Sequence, residues 1–254
     1  MRRAGIIAAG VVGVVAIAAG VAWLVAFRDT AEPVEVEEVV TSFRGETTSV
    51  GESPIPEGVY VYATDGYERT NALTGVTHRY PRRSTITVAA VDCGVRFTWR
   101  VLEGRSTAWT YCAADDGWEL RTQAERHTFF GRTELTTYEC DATPILPAEP
   151  VVGASWSVSE CAAGETTETG RMRVVGLPRL VVAGSPLQTV HVRKRTELSG
   201  SSRGTSRHDL WFDAESGLPV RLRLVSNTTS DSPIGDVRYE EDVTLTLRSL
   251  EPRR

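Results

Sequence analysis

The chain has 254 residues, with 28 basic and 33 acidic side chains for a net charge of −5, 41% hydrophobic residues and four cysteines. That composition excludes an intrinsically disordered chain, which would lack the apolar residues for a core, and a dominant positive field of the kind that drives nucleic-acid binding. Every basic residue but Lys194 is arginine, and there are only two asparagines. Arginine suits recognition of phosphate or carboxylate, but a G- and C-rich bacterial genome is the favoured explanation of the bias.

In chain order the first feature is an apolar run. Arg2 and Arg3 precede an uncharged stretch from Ala4 to Phe27. As a helix these residues span about 36 Å, enough to cross a bilayer core of about 30 Å. The flanking arginines place the N-terminus in the cytoplasm and the rest of the chain outside. A cleaved signal peptide is the rival reading; the bulky end, Trp23-Leu24-Val25-Ala26-Phe27, favours an anchor. No cysteine follows the run in the place that lipoprotein processing requires. The expected localisation is the cell membrane, single-pass, with residues 4–27 as the membrane partner.

Residues 28–57 hold eight acidic side chains against two arginines, a net of −6, while residues 58–254 are nearly balanced. With few large apolar residues and several Pro, Gly, Ser and Thr, 28–57 reads as an acidic tether, with a short strand or helix over Val34–Val40 as the rival reading. The division expected is therefore 1–27 cytoplasmic tip and anchor, 28–57 tether, and 58–254 an extracytoplasmic antiparallel β domain.

From Gly58 onward the residues alternate. Val95, Phe97, Trp99 and Val101 share one face against Arg96, Thr98 and Arg100. Leu218, Val220, Leu222 and Leu224 do so against Arg221 and Arg223, and Val243, Leu245 and Leu247 against Thr244, Thr246 and Arg248. A period of two marks antiparallel strands with one buried and one wet side. Turn signals such as EGRS at 103, ADDG at 114, SGSSRG at 199 and AESG at 214 separate about eleven or twelve strands. The fold class expected is all-β, a curved antiparallel sheet or half-barrel.

Two stretches start one hundred residues apart, TYCAADDGWELR at Thr110 and LWFDAESGLPVR at Leu210, and from 104 to 121 five positions are identical to their counterparts without a gap. Each runs an aromatic strand into an acidic turn closed by Gly117 or Gly217, where a tight reversal needs positive φ. The likeness suggests a domain of two repeats of about 100 residues, with the hairpins as structural units.

Cys93, Cys112, Cys140 and Cys161 all follow the apolar run, and an even set in an oxidising compartment reads as two disulfides. Three connectivities exist; pairing of sequence neighbours is preferred, because each pair flanks a hairpin or tight connection. The spacings lack Cys-x-x-Cys, which argues against zinc.

Candidate chemistry is sparse. His78, His127, His191 and His208 lack metal-ligand spacing and read as surface or edge histidines. His208-Asp209 with Ser201, Ser202 or Ser206 evokes a triad, but there is no Gly-x-Ser-x-Gly elbow. No catalytic residue, metal site or cofactor is assigned. Two basic clusters, Arg79, Arg82 and Arg83, and Arg193, Lys194 and Arg195, are candidates for contact with anionic headgroups or acidic wall polymers.

The segment DLWFDAESGLPVRLRL, from Asp209 to Leu224, resembles the hairpin of LolA-like and LppX-like half-barrel proteins. The wider pattern of Cys93, Trp99, Trp109, Cys112, Tyr138, Cys140, Trp156 and Cys161 is similar to that of small secreted or anchored actinobacterial proteins. The half-barrel resemblance implies a curved sheet around an apolar hollow that carries a lipid or another amphiphile. Beside it stands a packed module that binds an envelope protein and no ligand, and, more remote, an extracytoplasmic hydrolase.

Overall fold

A computed structural model describes residues 31–46, 53–73, 75–232 and 235–254. The stretch expected to cross the membrane, residues 4–27, lies outside them, and among the described residues no helix is long and apolar enough to span a bilayer.

Among the described residues one helix, α1 (Val36–Glu46), precedes fourteen strands: β1 (Gly58–Thr70), β2 (Val76–Arg79), β3 (Arg83–Val91), β4 (Gly94–Leu102), β5 (Arg105–Ala114), β6 (Gly117–Phe129), β7 (Arg132–Pro147), β8 (Ser155–Ala163), β9 (Thr166–Gly176), β10 (Arg179–Val182), β11 (Ser185–Ser199), β12 (Ser202–Asp213), β13 (Pro219–Ser230) and β14 (Val237–Leu247). Twelve of them form an up-and-down antiparallel barrel. Successive strands pair from β3 to β9, β9 pairs with β11, and β14 pairs with β1 to close the ring. β2 and β10 are short additions that pair with β1 and β11. The alternating sheet expected from the sequence is thus present, and it curves past a half-barrel to full closure, which leaves the main wall without edges.

The acidic segment does not stay a tether throughout. Val36, Val39, Val40 and Phe43 recur at helical spacing, and α1 lays Val39 and Val40 against Val59 on the outside of β1. Glu37 and Glu38 sit in its first turn and Arg44 in its last, complementing the helix dipole. Upstream, the Glu103 amide donates to the Glu32 carbonyl at 2.9 Å and Pro33 bridges to Leu102. The chain therefore reaches the barrel at the rim carrying the β4–β5 turn and descends its outer wall. The rival reading of Val34–Val40, a short helix, is the one that the structure shows, and its apolar stripe makes this docking favourable.

Both disulfides join sequence neighbours, Cys93 to Cys112 and Cys140 to Cys161. The first ties the β3–β4 turn to the end of β5, and the second links the directly paired residues of β7 and β8.

Rings of this width usually enclose a cavity. Here opposite walls meet instead. β5 and β12 stand six strands apart around the ring, yet the Tyr111 and Phe212 rings are 6.4 Å apart. Tyr62 on β1 donates its hydroxyl to the Pro219 carbonyl at 2.5 Å. Trp99, Tyr60, Tyr62, Phe97 and Phe212 are fully buried in the space between, and Ile55 closes the end beneath them.

The two similar hairpins, β5–β6 and β12–β13, lie half a turn apart at the same end, as two six-strand halves would place them. Their turns close differently. Ala114 pairs with Gly117 across two residues, whereas Asp213 holds a longer loop by accepting bonds from the Ser216 amide and hydroxyl. Gly117 has φ 135°, and a Cβ there would meet the Leu146 carbonyl oxygen at 2.1 Å; at Gly217, φ 77°, the first atom met is Trp118 Nε1 at 3.2 Å. The hairpins thus touch across the barrel end. Gly217→Ala is expected to cost about 1–2 kcal/mol for the left-handed backbone, and Gly117→Ala more, because backbone must also move. Urea unfolding midpoints of the two variants check the order.

Candidate functional site

The strongest concentration of titratable groups is inside the barrel, in a layer above the aromatic core. Period-two alternation puts it there. On β14, Tyr239 and Glu241 fall in step with Val243, Leu245 and Leu247; on β1, Glu68 falls in step with Tyr60, Tyr62 and Thr64. β5 contributes Arg105, β6 contributes Gln123, Glu125 and His127, and His78 and Tyr80 come from β2 and the residue that follows it.

Arg105 is the hub. Its Nη2 donates to both carboxylate oxygens of Glu241, at 2.9 and 3.1 Å, and its Nη1 to Thr107 Oγ1 at 2.5 Å. Its Nε lies 3.6 Å from Glu68 Oε2, and its guanidinium sits over the Trp99 ring at 5.2 Å. Glu68 contacts His78 Nδ1 at 3.0 Å and His127 Nδ1 at 3.4 Å, and accepts from the Tyr239 hydroxyl at 3.2 Å. Tyr80 donates to Glu241, and Gln123 donates to Glu125 at 2.7 Å. Phe129 stacks on His78.

Burial alone would raise the carboxyl groups, but partners outweigh it. His127, His78 and Arg105 hold Glu68 down to about 2. His127, Arg105 and Gln123 do the same for Glu125, also about 2. Burial and Arg105 push His127 down, yet Glu125 and Glu68 prevail and raise it. The layer is a set of mutually compensated charges.

A second interior group lies on the neighbouring wall. Lys194 Nζ is 2.9 Å from Glu168 Oε1, which also accepts from Thr196 at 2.5 Å. Ser206 Oγ and His208 Nε2 are 2.9 Å apart. Burial first, then the Lys194 charge, lowers His208 to about 4. Lys194, His208 and Gln123 line a gap of about 10 Å³ with Trp109, Tyr111, Leu120, Ile145 and Leu210. That is room on the scale of one water molecule.

These positions revise the sequence reading. Three of the four histidines, His78, His127 and His208, point into the barrel instead of lying on its surface. His208 and Asp209 project to opposite faces, so that pair forms no triad; Asp209 is on the outer wall, 2.8 Å from His191 Nε2 and 2.6 and 2.7 Å from the Nε atoms of Arg193 and Arg207. Lys194 is 2% exposed and ion-paired, so it cannot meet a headgroup. Arg193 and Arg195 flank it on the outside, while Arg79, Arg82 and Arg83 lie five strands away around the ring; the two clusters do not form one surface. Among the described residues no group of His, Cys, Asp or Glu is placed to hold a metal ion. The interior charges were missed, although each stands on the apolar face of an alternating strand, which is a readable signal.

No protein-family model matches the chain, and no curated protein matches it. Among solved structures, the hypothetical lipoprotein YmcC from Escherichia coli K12 is similar, with 13% identity and a TM-score of 0.36, covering 80% of this chain and 95% of that one.

Arg105→Met removes the cation shared by Glu68 and Glu241 and is expected to cost about 3–5 kcal/mol, the loss typical of a broken buried ion pair; chemical denaturation measures it. The layer also sets the pH response. Glu68 and Glu125, depressed from 4.5 to about 2, contribute stability above pH 4.5 that disappears as pH falls through 2. His208, depressed from 6.5 to about 4, contributes stability above 6.5 that disappears as pH falls toward 4. His127, raised, acts in the opposite sense and loses its contribution as pH rises past its folded pKa. Melting temperature should therefore fall on acidification from pH 6.5, and His208→Gln should flatten the part above 4.5 while leaving the steeper part below it.

Proposed function

We propose that the chain is a non-catalytic, disulfide-stapled β-barrel scaffold, held outside the cytoplasm by residues 4–27, which binds its partner on its outer surface and carries nothing inside. The observation that supports this reading is the filled interior. The walls meet at Tyr111 and Phe212, large aromatics occupy the lower half, and compensated charges occupy the upper half. The gap of about 10 Å³ compares with roughly 300–1,000 Å³ for pockets that take drug-sized ligands, and a lipid is larger still. The carrier function implied by a half-barrel calls for a hollow larger than this gap among the described residues, and the wall contact supports the packed reading over it.

Chemistry in the charged layer is disfavoured on the same grounds. Glu68 and Glu241 are at most 5% exposed, and each is occupied by an arginine and by phenol or imidazole partners. Of the whole layer, only Gln123 lines the gap. A general base needs reach to a substrate proton, and these groups reach one another.

Native mass spectrometry of the full chain, released from detergent in the gas phase, tests the scaffold. The expected spectrum is the bare polypeptide mass with both disulfides formed. A one-to-one lipid adduct that survives detergent removal would overturn the proposal in favour of a carrier.

A further inference from the structure

The outer wall across β9, β11, β12 and β13 carries eight arginines: Arg203 near the rim, which is paired with Asp231 and Asp236, and Arg171, Arg173, Arg193, Arg195, Arg207, Arg221 and Arg223 below it. Strand register assembles them. Arg171 pairs directly with Arg195, and Arg195 with Arg207, so three like charges stand in one row across three strands. In the next row Arg173 faces Arg193, Arg193 faces Asp209 and Asp209 faces Arg223. A third row places His191, Trp211 and Arg221 side by side; Trp211 stacks on His191 at 4.1 Å, and the Arg221 guanidinium lies over its ring at 5.0 Å.

The acids on this wall, Glu197, Asp209 and the marginal Asp242, are fewer than its arginines, and Glu197 faces Thr169 and Thr205 across the strands. Asp209 is consumed by Arg193, Arg207 and His191, and is 2% exposed beneath them. Asp242, at the margin, meets Arg223 at 3.4 Å. Among the described residues Arg171, Arg173 and Arg195, all exposed, have no acidic partner. Like charges directly opposite each other on a sheet destabilise it. The chain as a whole carries −5, so the wall is a local inversion of the molecule's charge.

We infer that this wall is a docking surface for a linear polyanion bearing phosphate groups, an acidic envelope polymer by its chemistry. Guanidinium groups recognise phosphate oxygens through paired donors. Their spacing is about 5 Å across strands and about 7 Å along them, which suits anionic groups repeated along one chain. A convex wall encloses no small ligand, so a single phosphate has nothing to hold it beyond a few solvated contacts. A bilayer is a poorer fit than a polymer. The chain enters the barrel at the rim with Glu32 and Pro33, whereas Arg195 lies four residues down its strand from the opposite side of that rim, about 14 Å. The inference rests on the proposal that the barrel binds on its outside, and it names the wall and the partner.

The test uses the full chain in detergent, with medium-chain inorganic polyphosphate as the probe and fluorescence anisotropy as the readout. The expected result is saturable binding, weakened about tenfold or more by Arg171→Glu with Arg195→Glu, and unchanged by Arg79→Glu with Arg83→Glu on the far wall. Arg171→Gln with Arg195→Gln should also lose affinity while melting no lower than the parent, since it removes repulsion; this keeps a folded variant available if charge reversal perturbs the sheet. Absence of binding, or equal loss from both walls, overturns the inference. Stronger competition by short-chain phosphatidylglycerol or by a DNA duplex than by polyphosphate overturns it in favour of a membrane or nucleic-acid surface. The outcome is separable from that for the scaffold: a retained lipid would refute a filled barrel without touching the arginine wall, and failed polyphosphate binding would leave the interior as described.

Discussion

Contact between opposite walls governs this molecule. A ring of twelve strands has more interior than short side chains can fill, and an apolar void would forfeit both dispersion contacts and transfer free energy. Here Tyr111 reaches Phe212 from six strands away. Trp99 and Phe97 on β4 and Tyr60 and Tyr62 on β1 complete the fill around them. Closure without an edge and closure without a void are separate problems; pairing of β14 with β1 solves the first and the aromatic layer solves the second.

The charged layer follows from the same constraint. Glu68, Arg105 and Glu241 come from strands β1, β5 and β14, so their ion pairs tie distant parts of the ring together as the aromatics do below. Buried ion pairs are weak sources of net stability, since desolvation offsets most of the attraction. Their usefulness is directional. An apolar contact tolerates sliding, whereas the two bonds from Arg105 Nη2 to Glu241 hold in one register of β5 against β14. Removal of one partner is then far more damaging than the worth of the pair would suggest.

Much of this was legible in the sequence, and the illegible part has physical causes. Alternation in Val95–Val101, Leu218–Leu224 and Val243–Leu247 identified strands, because a half-buried sheet imposes period two. The same alternation carried Glu241 and Lys194 inward, in step with Leu245 and Val192. A charged residue on an apolar face reads locally as an exception, and only its partner from another strand explains it. Glu168 and Lys194 are 26 positions apart in sequence and Arg105 and Glu241 are 136, which no local pattern reveals. Full closure was hidden for a like reason, since it depends on β1 meeting β14. In α1 the signal was present at Val36, Val39, Val40 and Phe43, and acidic composition outweighed it.

Charge placement separates the inside of the barrel from the outside. Within, where an unpaired charge is costly, Glu68, Glu125, Glu168 and Glu241 each stand within reach of a cation. Outside, where a compensating acid would be cheap to supply, three arginines share a row, and among the described residues only Arg207 of the three has an acid, Asp209, as its ion-pair partner. An abundance of arginine in the genome accounts for their number and not for their register. Scattered at random over the wet positions of twelve strands, they would meet acids as often as one another, in a chain that has more acids than bases. Solvent screening keeps the repulsion small enough to persist, but nothing in folding rewards it. What does reward such a row is an anion that arrives from outside and supplies the charge that the sequence withholds.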